Sequence, residues 1–454
     1  MNVAVIGAGT YGSYIVNSLL NKFPEIKISL FEVGTWDIKN EGEIGYKSNV
    51  INGNYSGLSK GRFFGFGGTS AKWGGQLLTF SERDFSNPSP YLKDIVDLNI
   101  KYKEQIFRTF GIKSNYIERN ISDKLFIKTG IWLSYFNRNL FKYFKINKRK
   151  NIKIISNARV IKILTNGYNT VKGIVYKQNG IKKEESFDHY FLAAGAFESI
   201  RILMVSGLLE QCNVRFSDHL SQKVFKIKGP TKINTEDFSF RIKGSSLITK
   251  RIIGEIDGVS FFVNPIFNSE FSFFNNLKVL LFERKFSPKI IKSVLKDLPY
   301  VFLFIWYLLM LRKIYVYKGE WYFYIDIENP NKDCFVRLSK QKDKFNEMTL
   351  EVNFSINKNT SLILRKVKQL IKQYLMDNNV SFEECFSEIQ VEKYVDTYHP
   401  YGMICDFNSV KEYFNMFTNM LVVNTGILPR AGGINLTAAV FPLIEEYITN
   451  YFRK

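Results

Sequence analysis

The apolar positions change period along the chain, and each change marks an element. Val3, Val5 and Ile6 form a short β-type run. Tyr14, Ile15, Leu19 and Leu20 then fall on a helical pattern, and Ile28, Leu30 and Phe31 return to a strand pattern that stops at Glu32. Residues 34–57 are polar and rich in Gly and Asn, the composition of surface loops. Over residues 85–150 the pattern is mostly helical, with Phe126, Ile127, Ile131, Trp132 and Tyr135 recurring at helix-like spacing, as on a core-facing stripe. Strands follow at 152–155, 160–164, 171–176 and 190–193, with Asn-Gly pairs at 166–167 and 179–180 that predict hairpins. Further strands are predicted at 238–242, 259–263 and 321–327, and an amphipathic helix at 362–375. The succession predicts an α/β chain with a second, sheet-rich domain of α+β character.

The first strand runs directly into Gly7-Ala-Gly-Thr-Tyr-Gly12, and a helix begins inside that turn. Gly7 permits a tight turn, Gly9 lets the backbone approach a pyrophosphate, and Gly12 lets the helix pack on its strand. Thr10 and Tyr11 stand at the mouth of the turn, where the N–H groups of a helix start favour phosphate. Glu32 lies twenty residues past Gly12 and is placed to accept hydrogen bonds from a ribose. These residues point to a bound dinucleotide, either NAD(P) or FAD. A second glycine-rich run, 61–76, carries Gly68, Gly74 and Gly75 beside the hydroxyls of Thr69 and Ser70 and the rigid plane of Trp73. It is too rich in glycine for a helix or regular strand, and suits backbone laid against a flat or anionic ligand. At Leu192-Ala-Ala-Gly195 a strand again meets a small-residue turn and a helix start, so that Ala194 and Gly195 would let the strand end approach a cofactor.

Composition narrows the class. The four cysteines are far apart and form no C-x-x-C pair, which argues against a disulfide framework or zinc site and suits a reducing cytoplasm. The N-terminus is already a core strand, so no signal peptide is expected, and no metal site is expected either. Net charge is +21, from 63 Lys+Arg against 42 Asp+Glu. Such an excess draws acidic partners or anionic lipid, and also arises from a Lys- and Asn-rich coding bias. No nucleic-acid-binding motif accompanies it, and no nucleic-acid partner is expected.

Taken together, the first glycine turn with Glu32, the Gly67-Gly-Thr-Ser-x-x-Trp-Gly-Gly75 run, Leu192-Ala-Ala-Gly-Ala-x-Glu-Ser199 and Asp218-His219 resemble the glucose–methanol–choline (GMC) flavoprotein oxidoreductases in order and spacing. The tail extends the resemblance. Tyr398-His-Pro-Tyr-Gly402 is similar to the family's H-P-x-G motif, and Leu421-Val-Val-Asn-Thr-Gly426 with Pro429-Arg-Ala-Gly-Gly-Ile-Asn-Leu-Thr437 to its flavin-closing strand and turn. The resemblance implies a Rossmann-like FAD-binding domain assembled from residues 1–90, 150–225 and 398–454. It also implies a helical insert at 91–149 and a β-sheet substrate domain at 226–397. It implies FAD as cofactor, with Gly68 to Gly75 along the pyrophosphate and isoalloxazine and Val160 touching adenine through its backbone. Glu198, Asn424, Gly426, Asn435, Leu436 and Thr437 would complete the cofactor site. Members with covalent FAD carry a histidine in the glycine-rich run; this run has none, so non-covalent FAD is expected. His399 matches the catalytic histidine and Asn435 the second catalytic position. Met403, Asn424 and Leu436 depart from the family's usual Thr, Asp and Pro.

The activity implied is oxidation of a CH–OH group, an alcohol or sugar hydroxyl, by hydride transfer to flavin N5 with His399 as base. An NAD(P)-dependent dehydrogenase and a catalytically silent, membrane-associated flavoprotein acting as an interaction module are the alternatives. The substrate would be a small molecule or a lipid-linked sugar, and the electron acceptor oxygen or a quinone.

One stretch falls outside these motifs. Lys285, Lys289, Lys292 and Lys296 recur at spacings of 4, 3 and 4 and lead into an apolar, aromatic-rich run at 298–311, followed by Arg312 and Lys313. The run is shorter than the ~20 residues a bilayer span needs. A basic face beside such a run reads either as a buried helix or as an interfacial anchor on anionic lipid, covering residues 285–313. The expected location is the cytoplasm, peripheral to the inner face of the membrane if the segment docks there.

Overall fold

A computed structural model describes residues 1–113, 117–167, 169–209, 213–227, 240–243, 246–267, 272–282, 286–311, 321–356, 358–386 and 393–452. Lys285, Arg312, Lys313 and the start of the strand expected at 238 lie outside the described residues.

In chain order, the opening is β1 (Asn2–Ile6), α1 (Thr10–Lys22) and β2 (Lys27–Phe31). There follow α2 (Pro90–Thr109), β3 (Leu125–Trp132) and β4 (Ile152–Ile155). A meander comes next: β5 (Ala158–Thr165), β6 (Val171–Gln178) and β7 (Ile181–Glu185). Then come β8 (His189–Leu192), α3 (Ala196–Val205), β9 (His219–Ile227), β10 (Ser246–Ile256) and β11 (Val259–Phe267). Two helices, α4 (Phe273–Phe282) and α5 (Pro288–Leu309), precede β12 (Trp321–Glu328). The chain closes with α6 (Lys358–Asp377), β13 (Met420–Val422) and α7 (Thr437–Asn450).

Two sheets position the site. The first is parallel, in the order β13-β8-β1-β2-β4. Its central strands are apolar on both faces; Val3, Ala4, Val5, Tyr190, Phe191 and Leu192 are almost wholly buried, as a sheet covered on both sides requires. The strand order reverses between β1 and β8, so the turns after these two strands open on the same crevice, where such sheets bind ligands. The second sheet is antiparallel, and β9, β12, β11, β10 and β3 are successive neighbours in it.

Most of the predicted elements form. The hairpin turn at Asn179 and Gly180 has both residues at positive φ, 50° and 82°, which Asn-Gly tolerates best. Two expectations fail. Residues 125–132 are a strand, not a helix: β3 pairs with β10 along its whole length and is buried on both faces, which removes the polar alternation that marks a strand. The insert at 91–149 is therefore helical only in part. Residues 34–57 are not simply loops either. Asn49–Asn52 pairs in parallel with Met348–Asn353, and Tyr46 and Tyr55 are buried. Lys128, in the middle of β3, is wholly buried and paired with the equally buried Asp84, and nothing in the sequence marks that pair.

Candidate active site

Three glycine turns converge where the parallel sheet reverses. Gly7, after β1, has φ +100°, and a Cβ there would lie 2.5 Å from the Ala193 carbonyl oxygen after β8. The Gly67 N–H donates to the Ala8 carbonyl at 2.9 Å, which ties the 61–76 run to the first turn. A Cβ on Gly12 would lie 1.8 Å from the Gly7 oxygen, so helix α1 can sit this close to its strand only without a side chain there. Gly9 and Gly195 are the N-cap residues of α1 and α3, and neither supplies a side-chain cap, leaving first-turn N–H groups available to an anion.

Along these turns runs one elongated cavity, with about 1240 Å³ of empty space. Of the residues expected to contact a cofactor, Gly7, Gly9, Thr10, Tyr11, Glu32, Gly68, Thr69, Val160, Ala194, Gly195, Glu198, Asn424 and Thr437 line it, and His399 stands at one end. Gly12, Ser70, Trp73, Gly74, Gly75, Gly426, Asn435 and Leu436 are not on its wall. Ser70 is inside the protein, donating to the Gly67 oxygen at 2.6 Å and accepting the Leu140 N–H at 3.0 Å. Trp73 donates from Nε1 to the Arg138 oxygen, and Leu436 is buried at the start of α7.

Glu32 sits on the wall but already accepts three backbone N–H groups, from Ala8, Gly34 and Gly65, at 2.8–3.0 Å. It therefore clamps three loops as well as facing the cavity. Burial raises its carboxyl above the usual range, and the backbone donors oppose that rise. Glu198 meets Arg201 at 2.6 Å, with Arg62 and Arg159 at 3.7 and 3.8 Å. Burial would push its carboxyl up, but the guanidinium groups outweigh it and hold it below its usual value. Arg62 and Arg159 also line the cavity and place positive charge there; no motif in the sequence singled them out.

At the far end His399 is held on every side. Its backbone N–H donates to both Asp218 oxygens at 2.9 Å, and Tyr55 donates its phenol to the same carboxylate at 2.9 Å. The Thr397 hydroxyl lies 3.1 Å from Asp218 Oδ1 and 2.9 Å from His399 Nδ1. A carboxylate can only accept, so Thr397 donates to Asp218 and His399 Nδ1–H donates to Thr397. The lone pair is then at His399 Nε2, 3.3 Å from Asn435 Nδ2. Burial pushes the His399 imidazole down to about 3, helped by the charges of His219 and Arg251. The imidazole is therefore neutral near pH 7. Burial, with Asp396 nearby, pushes Asp218 up to about 7. Tyr398, just before the histidine, has φ +66°, a conformation that costs a non-glycine residue about 1–3 kcal/mol and is held here by the contacts of its neighbour.

Opposite His399 lies one face of the antiparallel sheet. His219, from β9, donates Nε2–H to the Gly432 oxygen at 2.7 Å, and its ring stands edge-on to His399, 5.7 Å away. Arg251 of β10 stacks 4.4 Å from the Phe262 ring and donates to Gln76. Thr249 accepts from Trp132 Nε1 at 2.9 Å, and Asn264 donates to Asp326 at 2.9 Å. Burial raises Asp326 to about 6. The buried Glu328 of β12 accepts Arg430 and the N–H groups of Ala431 and Gly432, which fastens the turn before Asn435 to this sheet. Asp218-His219 enters the sequence reading only as part of the family resemblance, with no role given to either residue, and Thr397, Arg251 and Asp326 are not singled out there; Arg251 and Asp326 are polar residues in largely apolar strands, a weak sequence trace.

No protein-family model matches the sequence, and no curated protein matches it. Solved structures do. The chain resembles pyridoxine 4-oxidase from Mesorbium loti at a TM-score of 0.57 and 14% identity, over 100% of this chain and 99% of that one. It resembles a formate oxidase from Aspergillus oryzae RIB40, solved to examine a mutation's effect on FAD modification, at 0.54 and 11%, over 98% and 97%. The fold is that of the GMC flavoenzymes. The likeness extends over essentially the whole of both chains.

Proposed function

We propose that this chain is an FAD-dependent oxidoreductase that oxidises a CH–OH group of a polar substrate, with Nε2 of His399 as base and Asn435 orienting the hydroxyl. The observation that carries the reading is the Asp218–Thr397–His399 chain, which leaves an unprotonated Nε2 beside Asn435 in a cavity lined by the three glycine turns.

The residues present fit FAD. The uncapped start of α1, with Gly7, Gly9 and Thr10, would take the pyrophosphate, Glu32 and Val160 the ribose and adenine, and Ala194 with Thr437 the body of the cofactor. Asn424 is wholly buried on the cavity wall, and its Nδ2 has no hydrogen-bond partner among the described residues, as expected of a donor awaiting a ligand. When bound, FAD supplies a hydride acceptor. With no histidine in the glycine-rich run, the flavin is held non-covalently. His399 takes the hydroxyl proton at Nε2, and its Nδ1–H stays on Thr397. Asn435 Nδ2 holds the substrate oxygen in reach. The polar face carrying Thr249, Arg251, Asn264 and Asp326 suits a substrate with several hydroxyls, such as a sugar, better than an apolar alcohol.

The test is an absorption spectrum of the purified protein followed by anaerobic reduction with a panel of alcohols and sugars. We expect flavin bands, released by denaturation, and reduction that His399→Ala slows by about 10²–10⁴ while flavin stays bound. A protein without flavin bands that instead oxidises alcohols with NAD(P) would refute the cofactor. Equal reduction rates in wild type and variant would refute the base, and flavin that no alcohol reduces would leave an interaction module.

A further inference from the structure

Helices α4 and α5 leave the antiparallel sheet between β11 and β12 and are pinned together by Asn276, which donates to Ser272 at 2.9 Å and Ser293 at 3.0 Å. The outer face of α5 is unlike the surface elsewhere. Ile291, Leu295, Leu298, Phe302, Trp306 and Leu309 follow at steps of 4, 3, 4, 4 and 3, one continuous helical stripe, and all are exposed. Phe302 is 69% exposed and Leu295 60%, values at which large apolar side chains are ordinarily covered. Met310 and Leu311 extend the stripe past the helix end, also exposed.

Charge identifies what covers it. Lys289, Lys292 and Lys296, exposed and spaced 3 and 4 apart, flank the stripe on its N-terminal half without interrupting it. The acid within α5, Asp297, is buried at 4% exposure, so the exposed face of α5 is apolar and cationic with no anion among the described residues. A protein partner would more usually meet an apolar stripe with mixed charge at the rim. Cations beside aromatic and aliphatic side chains match the layered chemistry of an anionic bilayer surface: headgroup phosphates outside, acyl chains beneath. No helix among the described residues is long and apolar enough to cross a membrane, which leaves the helix lying in the interface.

We propose that α5 is a monotopic membrane dock, seated in the headgroup layer of an anionic lipid bilayer with Phe302 and Trp306 inserted and the three lysines on lipid phosphates. The proposal does not depend on the flavin reading. Its position gives it consequence: α5 is spliced between the strands that carry Asn264 and Asp326 on the site face, and Phe267 and Trp321, which pair at the strand ends, lead into it.

Flotation of the intact, full-length protein with vesicles tests this, comparing phosphatidylcholine alone with phosphatidylcholine containing phosphatidylglycerol. We expect flotation with the anionic vesicles at low salt, weakening as salt rises. Phe302→Glu with Trp306→Glu should abolish it while leaving the melting temperature unchanged. Each of Lys289→Gln, Lys292→Gln and Lys296→Gln should weaken it by about fivefold. No flotation at low salt overturns the dock. Flotation of the Phe302/Trp306 double variant equal to wild type overturns it too, assigning binding to net charge alone. So does a wild-type dimer that this double variant splits, because a second copy would then be the cover.

Discussion

The site has two kinds of face, and they are built by different means. On the parallel-sheet side the contacts come from backbone: three glycine turns, uncapped helix starts and close approaches that no side chain would permit. Opposite His399 the antiparallel sheet instead presents side chains: Thr249, Arg251, Asn264 and Asp326, on three neighbouring strands. Backbone recognition demands the absence of Cβ atoms at fixed spacing, so it writes a motif. Side-chain recognition on a sheet needs only one polar residue per strand in the right register, so it writes almost nothing. His399 stands between the two faces, held by Asp218 from one side and beside Asn435 of the last turn.

Substitutions can break this comparison, and Gly12→Ala should break it hardest. The new Cβ would fall 1.8 Å from the Gly7 oxygen, a clash only backbone movement relieves. Flavin-to-protein absorbance after purification should drop to near zero; normal retention would mean the turn does not hold the cofactor. Lys128→Ala attacks the other face, stripping the partner from buried Asp84 against the antiparallel sheet. It should lower unfolding free energy by about 3–5 kcal/mol in urea titration.

The junction itself is sharpened by pH. The folded protein holds the Asp218 proton more tightly than an unfolded chain, about 7 against an ordinary 3.8. Stability from this group is therefore full below 3.8 and is lost as pH rises through about 7. Catalysis moves the opposite way. Only the carboxylate leaves Thr397 free to accept from His399, so the rate of flavin reduction should climb as pH rises through about 7. Thr397→Val should lower that rate about tenfold, from a lost hydrogen bond of about 1.5 kcal/mol, and flatten the limb. A limb unchanged in this variant would place the titrating group elsewhere. The smallest effect on flavin reduction should come from Gly195→Ala. No atom lies within 4 Å of its added Cβ, but φ +83° with ψ 164° is a conformation essentially confined to glycine, so about 1–3 kcal/mol of strain and weaker flavin retention should follow.

The strand–turn–helix opening, the histidine at the cavity and the order of the glycine runs were legible because each is local. A turn, a cap or a close approach is decided within a few residues, and the types able to supply it are few. Strand β3 was misread as helix because burial on both faces erases the alternation by which a strand is recognised, and only its pairing with β10 reveals it. The relay behind His399 was hidden for a related reason. Asp218 and Thr397 are separated by 179 positions, and their hydrogen bond exists only because β9 and the tail are brought side by side. The amino-acid sequence by itself determined that a dinucleotide-type turn opens the chain and that a histidine suited to base chemistry lies near its end. Tertiary structure decided which nitrogen of that histidine is free and which polar residues face it. It also decided that the apolar stripe of α5 lies outside the protein, because proton position, register and burial depend on neighbours far away along the chain.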